Sequence, residues 1–244
     1  MTAANALRLA VLVLLGALVV HPEWFEVFFA PLAPMGGPVM YERASLLSLS
    51  LNHLGLVFAA SGAATLVAVA LAILVTRPAG AAFRPLVRSI ANMGQTFPPV
   101  AVLALAVPSL GFGSGPTLVA LFLYSLLPIL ENAITGLTNL PRATMEAARG
   151  IGLSRWQSLT RVEIPLALPV ILTGIRLSVV IALGTATIGS TVAARTLGEV
   201  IIAGLLTNNT AFVLQGGLIV GLFAVLIYDA MGQIEARLVH SARI

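Results

Sequence analysis

Residues 46–75 read LLSLSLNHLGLVFAASGAATLVAVALAILV, a run without a single Asp, Glu, Lys or Arg that is closed by Thr76-Arg77. About 20 apolar residues suffice for a helix to cross roughly 30 Å of hydrocarbon, so this stretch predicts a membrane-spanning helix. Working outward, similar runs recur. Upstream, residues 7–20 form a shorter apolar run with Arg8 at its start. No small-x-small cleavage pattern follows at His21-Pro22-Glu23-Trp24, so the run is read as a retained first span and not as a signal-peptide core. The loop carrying Pro31, Pro34, Gly36, Gly37 and Pro38 is expected to be exposed and irregular. Downstream, apolar runs at 90–107, 117–134, 166–188 and 211–228 complete a set of six. Residues 197–206 are apolar but too short to span and read as a surface or re-entrant helix.

Composition supports this. The chain is 59% hydrophobic and 9% charged over 244 residues, far from soluble averages. The reading is an all-α integral membrane protein of about six transmembrane helices. It forms a single membrane domain over residues 1–244, with an N-terminal span at 7–20, core spans across about 46–228 and one polar loop at 139–165. Without cysteine, neither a disulfide framework nor a thiolate metal site is available. All thirteen basic residues are arginine, so the chain lacks the phosphate-gripping lysine of a Walker A loop. If ATP drives this protein, another subunit hydrolyses it.

Arginine placement orients the chain, because basic loops are retained on the cytoplasmic side. With both termini cytoplasmic, Arg8, Arg77, Arg84, Arg88, Arg142, Arg149, Arg155, Arg161, Arg237 and Arg243 fall inside, while only Arg43 and Arg195 fall outside. Arg176 lies within the fifth span.

The polar loop reads as two short helices with a break. Pro141 suits a first helical turn, Thr144 to Arg149 continues it, and Gly150 and Gly152 interrupt it. Ser154-Arg155-Trp156-Gln157 fits a capping box that restarts the helix, and Pro165 is expected to limit it. The decisive spacing is Glu146-Ala147-Ala148, three residues, Gly152, nine residues, then Val162-Glu163-Ile164-Pro165. It resembles the EAA loop of ATP-binding-cassette (ABC) importer permeases, with Val162 and Ile164 exchanging one branched aliphatic residue for another. The bland alternative, an amphipathic loop helix lying on the membrane, does not require the full spacing with its glycine and proline.

The resemblance implies a type I ABC importer permease (MetI-like) fold in a bacterial or archaeal cytoplasmic (inner) membrane. The loop would then be a coupling helix seated in a cleft of a nucleotide-binding subunit, with Glu146, Ala147, Ala148, Gly150, Gly152 and Arg155 as coupling residues. Small Ala147 and Ala148 would allow close approach, Gly152 a sharp turn, and Glu146 a charge for a basic partner or for its own helix N-terminus. The implied partners are nucleotide-binding subunits holding ATP and Mg, an extracytoplasmic substrate-binding protein, and a second permease that is a copy or a paralogue. Membrane lipid surrounds the chain and no nucleic acid is involved. No cofactor is expected in this chain, and its length leaves room for neither a fused ATPase nor a fused binding domain.

From about His53 to Tyr228 the chain is further similar to the osmoprotectant branch, which carries glycine betaine, choline, carnitine or proline betaine. The carrying patterns are His53-Leu54 with Thr76-Arg77, Gln95-Thr96-Phe97-Pro98-Pro99-Val100-Ala101 with Pro108-Ser109-Leu110-Gly111-Phe112-Gly113, Leu123-Tyr124-Ser125-Leu126-Leu127-Pro128-Ile129 with Asn132, and Gly174-Ile175-Arg176 with Thr185-Ala186-Thr187. Together and in order these patterns favour that branch over the methionine, sulfonate and phosphonate importers, which share the coupling loop. Two departures stand out. Ala193-Ala194-Arg195-Thr196-Leu197-Gly198 replaces a usual Gly-Ala-Gly-Gly-Leu-Gly, and Glu131 replaces a usual basic residue.

Polar groups within spans are costly and need partners. Gln95, Thr96, Phe97, Pro98, Tyr124 and Arg176 are the candidates for a translocation pathway. A packing kink serves equally well for the proline pair, and structural pairing of Arg176 with an acid or a helix-end carbonyl is favoured over a pathway role. His53 beside Asn52 is read as bonded to a neighbouring helix, not as a proton relay. Phe97, Phe112 and Tyr124 are the aromatic residues a quaternary ammonium could meet, although the family places its selective cage on the binding protein. An importer permease for another solute, such as methionine or a sulfonate, is the nearest alternative function. An ion-coupled transporter or channel is disfavoured because the acids sit at loops and span ends: Glu23, Glu26, Glu42, Glu131, Glu146, Glu163, Glu199, Asp229 and Glu235. Scattered His21, His53 and His240 with no cysteine offer no catalytic or metal site.

Overall fold

The computed structural model describes residues 3–241, with side chains from residue 4 to residue 238, so Arg243 and the His240 side chain lie outside the described residues. Helix α1 covers Ala3–Val20, followed by 3-10 turns at Pro22–Phe25 and Ala30–Leu32 that flank the short α2, Glu26–Phe29. Next come α3 (Leu46–Thr76), α4 (Arg84–Thr96), α5 (Pro99–Leu110) and α6 (Ser114–Thr138). The polar loop holds α7 (Arg142–Gly150) and α8 (Arg155–Ser158), then a π turn at Leu159–Glu163 that runs into α9 (Ile164–Ala186). A 3-10 segment, Thr187–Val192, leads to α10 (Gly198–Leu206) and α11 (Thr210–Ser241). Among the described residues there is no strand.

Among the described residues four helices are long and apolar enough to cross a membrane, and the number rises to six if each of two bent pairs is one span. One bend follows the expected first span at 7–20, which α1 holds unbroken, the other divides the expected third span, and a proline stands at each. A residue before proline is driven out of the helical region by the ring. His21, ahead of Pro22, sits at φ −126°, ψ 59°, where α1 and the following turns meet at 109°. Phe97, ahead of Pro98, sits at φ −73°, ψ 135°, so the expected continuous span at 90–107 is instead two helices. Pro165 behaves otherwise and does not end its helix. The π turn bonds Ile164 N to Leu159 O, one residue wider than an α turn, and the helix passes through. The sixth span is also longer than expected. α11 extends to Ser241, so Asp229 and Glu235 lie within a continuous helix, though beyond the roughly 28 Å that residues 210–228 already cover.

The chain forms two compact units. The first comprises residues up to 60, 98–121 and 180–228. Its core joins Leu15, Leu18 and Val19 of α1 to Leu49 of α3, Leu197 and Val200 at the start of α10, and Phe212 and Ile219 of α11. The proline-glycine loop ahead of α3 is exposed at its tip, as expected, but is pinned at its end. Gln215 donates to Val39 O at 2.7 Å and accepts from Tyr41 N at 3.1 Å, while Asn209 donates to Pro38 O at 2.8 Å. The Tyr41 hydroxyl donates to Glu199 Oε1 at 2.6 Å, and burial beside that carboxylate pushes the phenol above its ordinary range. His53, fully buried, places Nε2 3.0 Å from Leu183 O, the bond to a neighbouring helix that its lone position suggests.

The segment departing from the family pattern also belongs to this unit. Ala193 adopts a left-handed conformation, φ 64°, which costs a residue with a Cβ roughly 1–2 kcal/mol. Thr196 is fully buried, donates to Ala186 O at 3.0 Å, pairs with the Ser190 hydroxyl at 2.8 Å and accepts from Gly198 N at 3.2 Å. The second unit comprises 61–97, 122–179 and residues from 229 onward. Ala64, Ala68 and Ala72 place small side chains every fourth residue along α3, and they pack with Ile129, Leu130 and Ala133 of α6 and Ile171 of α9.

Gly198 admits no side chain: a Cβ there would lie 1.8 Å from the Thr187 carbonyl oxygen. Gly198→Ala is therefore expected to destabilise the protein by about 1–3 kcal/mol, read as a lower midpoint of thermal unfolding in detergent micelles. An unchanged midpoint would show that the start of α10 shifts freely.

Candidate functional site

The polar loop is a rigid elbow. α7 ends in a Schellman motif: Gly152 takes φ +81°, Gly152 N bonds Arg149 O at 3.0 Å, and Leu153 N bonds Ala148 O at 3.1 Å. A left-handed residue is needed at this turn, and glycine meets that need without a Cβ clash. Two residues later the expected capping box is present, with Gln157 N donating to Ser154 Oγ at 3.3 Å and Ser154 N to Gln157 Oε1 at 2.9 Å. With both helix ends satisfied, the segment between α7 and α8 has little freedom left.

Glu146, Ala147, Gly150, Gly152 and Arg155 are exposed. Ala148 is not. It is 4% exposed, turned inward because successive helical residues point about 100° apart, so its small side chain serves packing within the unit and not the approach of a partner. Two residues absent from the expected set stand out instead, Ile151 at 76% and Trp156 at 71% exposure. A tryptophan in the most polar stretch of an apolar chain was the available signal. Below the elbow, a cavity of about 650 Å³ is lined by Arg77, Met145, Arg149, Arg155, Trp156 and Glu163 among others.

The loop is tied to the apolar core by a buried acid. Glu163, 5% exposed, takes Arg77 Nη2 at 2.5 Å on one carboxylate oxygen and the Ser158 hydroxyl at 3.1 Å on the other. Arg77 follows the last residue of α3, and Glu163 closes the π turn ahead of α9, so one ion pair joins both helices to the loop. Arg84 adds two bonds to Val75 O, at 3.3 and 3.2 Å, capping the C-terminal end of α3.

Of the proposed pathway residues, the structure brings Gln95, Phe97 and Tyr124 together. Pro128 in α6 has no N–H for the Tyr124 carbonyl, and Gln95 Nε2 supplies that bond at 2.8 Å. The Tyr124 hydroxyl in turn donates to Phe97 O at the end of α4. Thr96 bonds within its own helix to Asn92 O at 3.0 Å, and Pro98 supplies the break in the backbone. Arg176 belongs to another constellation: its Nη1 lies 3.3 Å from Glu235 Oε2, while Thr173 donates to Glu235 Oε1 at 3.0 Å. Glu131, unusual for the resembled family, pairs with Arg88 at 2.8 Å.

Residues 64–240, more than half the chain and the whole of this elbow, match the family model described as the binding-protein-dependent transport system inner membrane component. The chain belongs to that family. It is 42% identical to the osmoprotectant import permease protein OsmY of Salmonella typhimurium over 81% of this chain and 84% of that one. The glycine betaine/carnitine/choline transport system permease protein OpuCB of Bacillus subtilis is 38% identical over 67% of this chain and 78% of that one. Among solved structures, an inward-facing form of the MetNI methionine ABC transporter superposes with a TM-score of 0.71 at 21% identity, covering 82% of this chain and 99% of that one. That likeness establishes the MetI-like fold. The chain is thus an inner membrane component of a binding-protein-dependent transport system.

Breaking a buried ion pair from one side strands a charge. Glu163→Leu is expected to destabilise the protein by about 3–5 kcal/mol, whereas Glu163→Leu combined with Arg77→Met should recover most of that loss. Thermal unfolding of the single and double variants measures the coupling, and equal losses in both would show that the pair is not the tie.

Proposed function

We propose that this chain is the permease subunit of an ABC importer for an osmoprotectant such as glycine betaine, choline or carnitine, driven through the elbow at 139–165 by separate ATPase subunits. The observation carrying the mechanism is the elbow satisfied at both helix ends, with Glu146, Ile151 and Trp156 exposed and Glu163 buried against Arg77. An elbow stiffened at both helix ends transmits a push without absorbing it. Support for the solute class comes from the names borne by relatives 35–43% identical to this chain.

In this reading both termini are cytoplasmic, as the distribution of arginines favours. Two nucleotide-binding subunits hold ATP and Mg and close on the exposed residues Glu146, Ala147, Gly150, Gly152 and Arg155. A binding protein delivers solute on the opposite face, and a second permease, identical or paralogous, completes the pathway. The chain itself performs no hydrolysis. Gln95, Phe97 and Tyr124, which link the end of α4 to α6, are the pathway residues that alternate between open and closed arrangements.

The test is ATPase activity of the assembled complex in proteoliposomes with glycine betaine, choline, carnitine and methionine in turn. Stimulation of tenfold or so by a quaternary amine is expected, and Glu146→Arg or Gly152→Pro should abolish it, since proline cannot adopt the +81° φ of Gly152. Stimulation by methionine alone would replace the solute class. Solute flux without ATP, indifferent to both substitutions, would overturn the importer reading.

A further inference from the structure

A second cavity lies wholly within the first unit and takes no part in the elbow. It measures about 620 Å³ and is lined by Leu51, Asn52 and Leu56 of α3, Ser114 at the start of α6, and Arg195 in the loop before α10, with Gly55 and Ala193 filling the remainder. The volume lies within the range of about 300–1,000 Å³ found for small-molecule sites. Its chemistry is lopsided. One guanidinium, one amide and one hydroxyl face otherwise aliphatic walls, and the lining holds neither an acid nor an aromatic ring.

Arg195 is exposed and has no hydrogen bond or ion pair with another described residue. A guanidinium has five N–H donors and no acceptor, so an anion entering this cavity meets donors that no described residue occupies. The backbone that presents it is fixed. Ala194 and Thr196 on either side are buried, Ala194 N bonds Gly189 O at 3.1 Å, Thr196 makes the three bonds described above, and Ala193 holds the strained left-handed turn. Backbone strain of this kind persists where the surroundings over-determine it, and binding sites are where it concentrates. A quaternary ammonium, by contrast, finds no π face and no carboxylate in this lining.

We propose that this cavity is a transit site for the carboxylate of a zwitterionic solute, with Arg195 as the residue that takes it and Asn52 and Ser114 as its polar companions. This deepens the osmoprotectant reading and rests on it for the identity of the solute. Its consequence is a preference within the class: glycine betaine and carnitine, which carry a carboxylate, pass this site with an ionic partner, and choline, which has none, does not.

The first experiment compares uptake of glycine betaine, carnitine and choline by the complete transporter in proteoliposomes, unmodified and with Arg195→Gln or Arg195→Lys. Arg195→Gln should lower uptake of the two carboxylate solutes about tenfold or more relative to choline, and Arg195→Lys should restore part of it. Equal loss for all three solutes, with weakened association of the solute-loaded binding protein with the transporter in nanodiscs, would assign Arg195 to a carboxylate of the binding protein and overturn the transit site. Equal uptake for all three would overturn it as well. The second experiment needs no transport: saturation-transfer NMR with acetate and with tetramethylammonium on the permease complex in nanodiscs, without binding protein. Transfer to acetate that Arg195→Gln removes supports the site even if none of the three solutes is carried, and the absence of transfer to acetate overturns it.

Discussion

Inside hydrocarbon a backbone carbonyl without a donor costs several kcal/mol, and this chain places prolines within several of its helices. Each proline removes one N–H, so its helix must find a substitute or change its geometry. At Pro128 the substitute is a side chain from another helix, Gln95, which reaches the orphaned Tyr124 carbonyl. Near Pro165 the geometry changes, and a π turn widens the helix so that it continues. At Phe97-Pro98 neither happens and the span breaks. The positions of breaks, bulges and patched carbonyls follow from this one constraint, and they decide which parts of the chain are stiff and which hinge.

The elbow is stiff for a related reason. The Schellman motif and the capping box satisfy the free backbone groups where α7 ends and α8 begins. A loop built this way is held as a body, and Glu163 ties it to the helices that follow and precede it. That carboxylate is buried and shared between Arg77 and Ser158, so a buried ion pair lies where the loop meets α3 and α9. The first unit holds its own polar groups by the same economy: Gln215, Asn209 and Thr196 each answer backbone groups of irregular segments that would otherwise be unpaired.

Much of this could be read from the residues alone. Long uncharged runs can hardly be anything but spans, because no other environment tolerates them, and Ser154 with Gln157 at the right spacing is a local arrangement that needs no tertiary partner. Other features could not be read. The Pro98-Pro99 pair is marked in the pattern as the single Pro108, Pro128 and Pro169 are not, but nothing there shows that Gln95 of another helix answers the carbonyl left open by Pro128. Ala147 and Ala148 look equivalent in sequence, and only the packing of α7 turns one outward and the other in.

The sequence by itself therefore determined the class of fold, the six apolar segments and the motif spacing from Glu146 to Pro165, because hydrophobic length, turn chemistry and capping are local properties of the chain. The tertiary structure alone decided that Glu163 belongs to Arg77, Glu131 to Arg88 and Arg176 to Glu235, and that Arg195 is left facing a cavity. Which charges meet is a property of helix packing: residues 86 positions apart, such as Arg77 and Glu163, carry no mark of each other until the helices between them have folded.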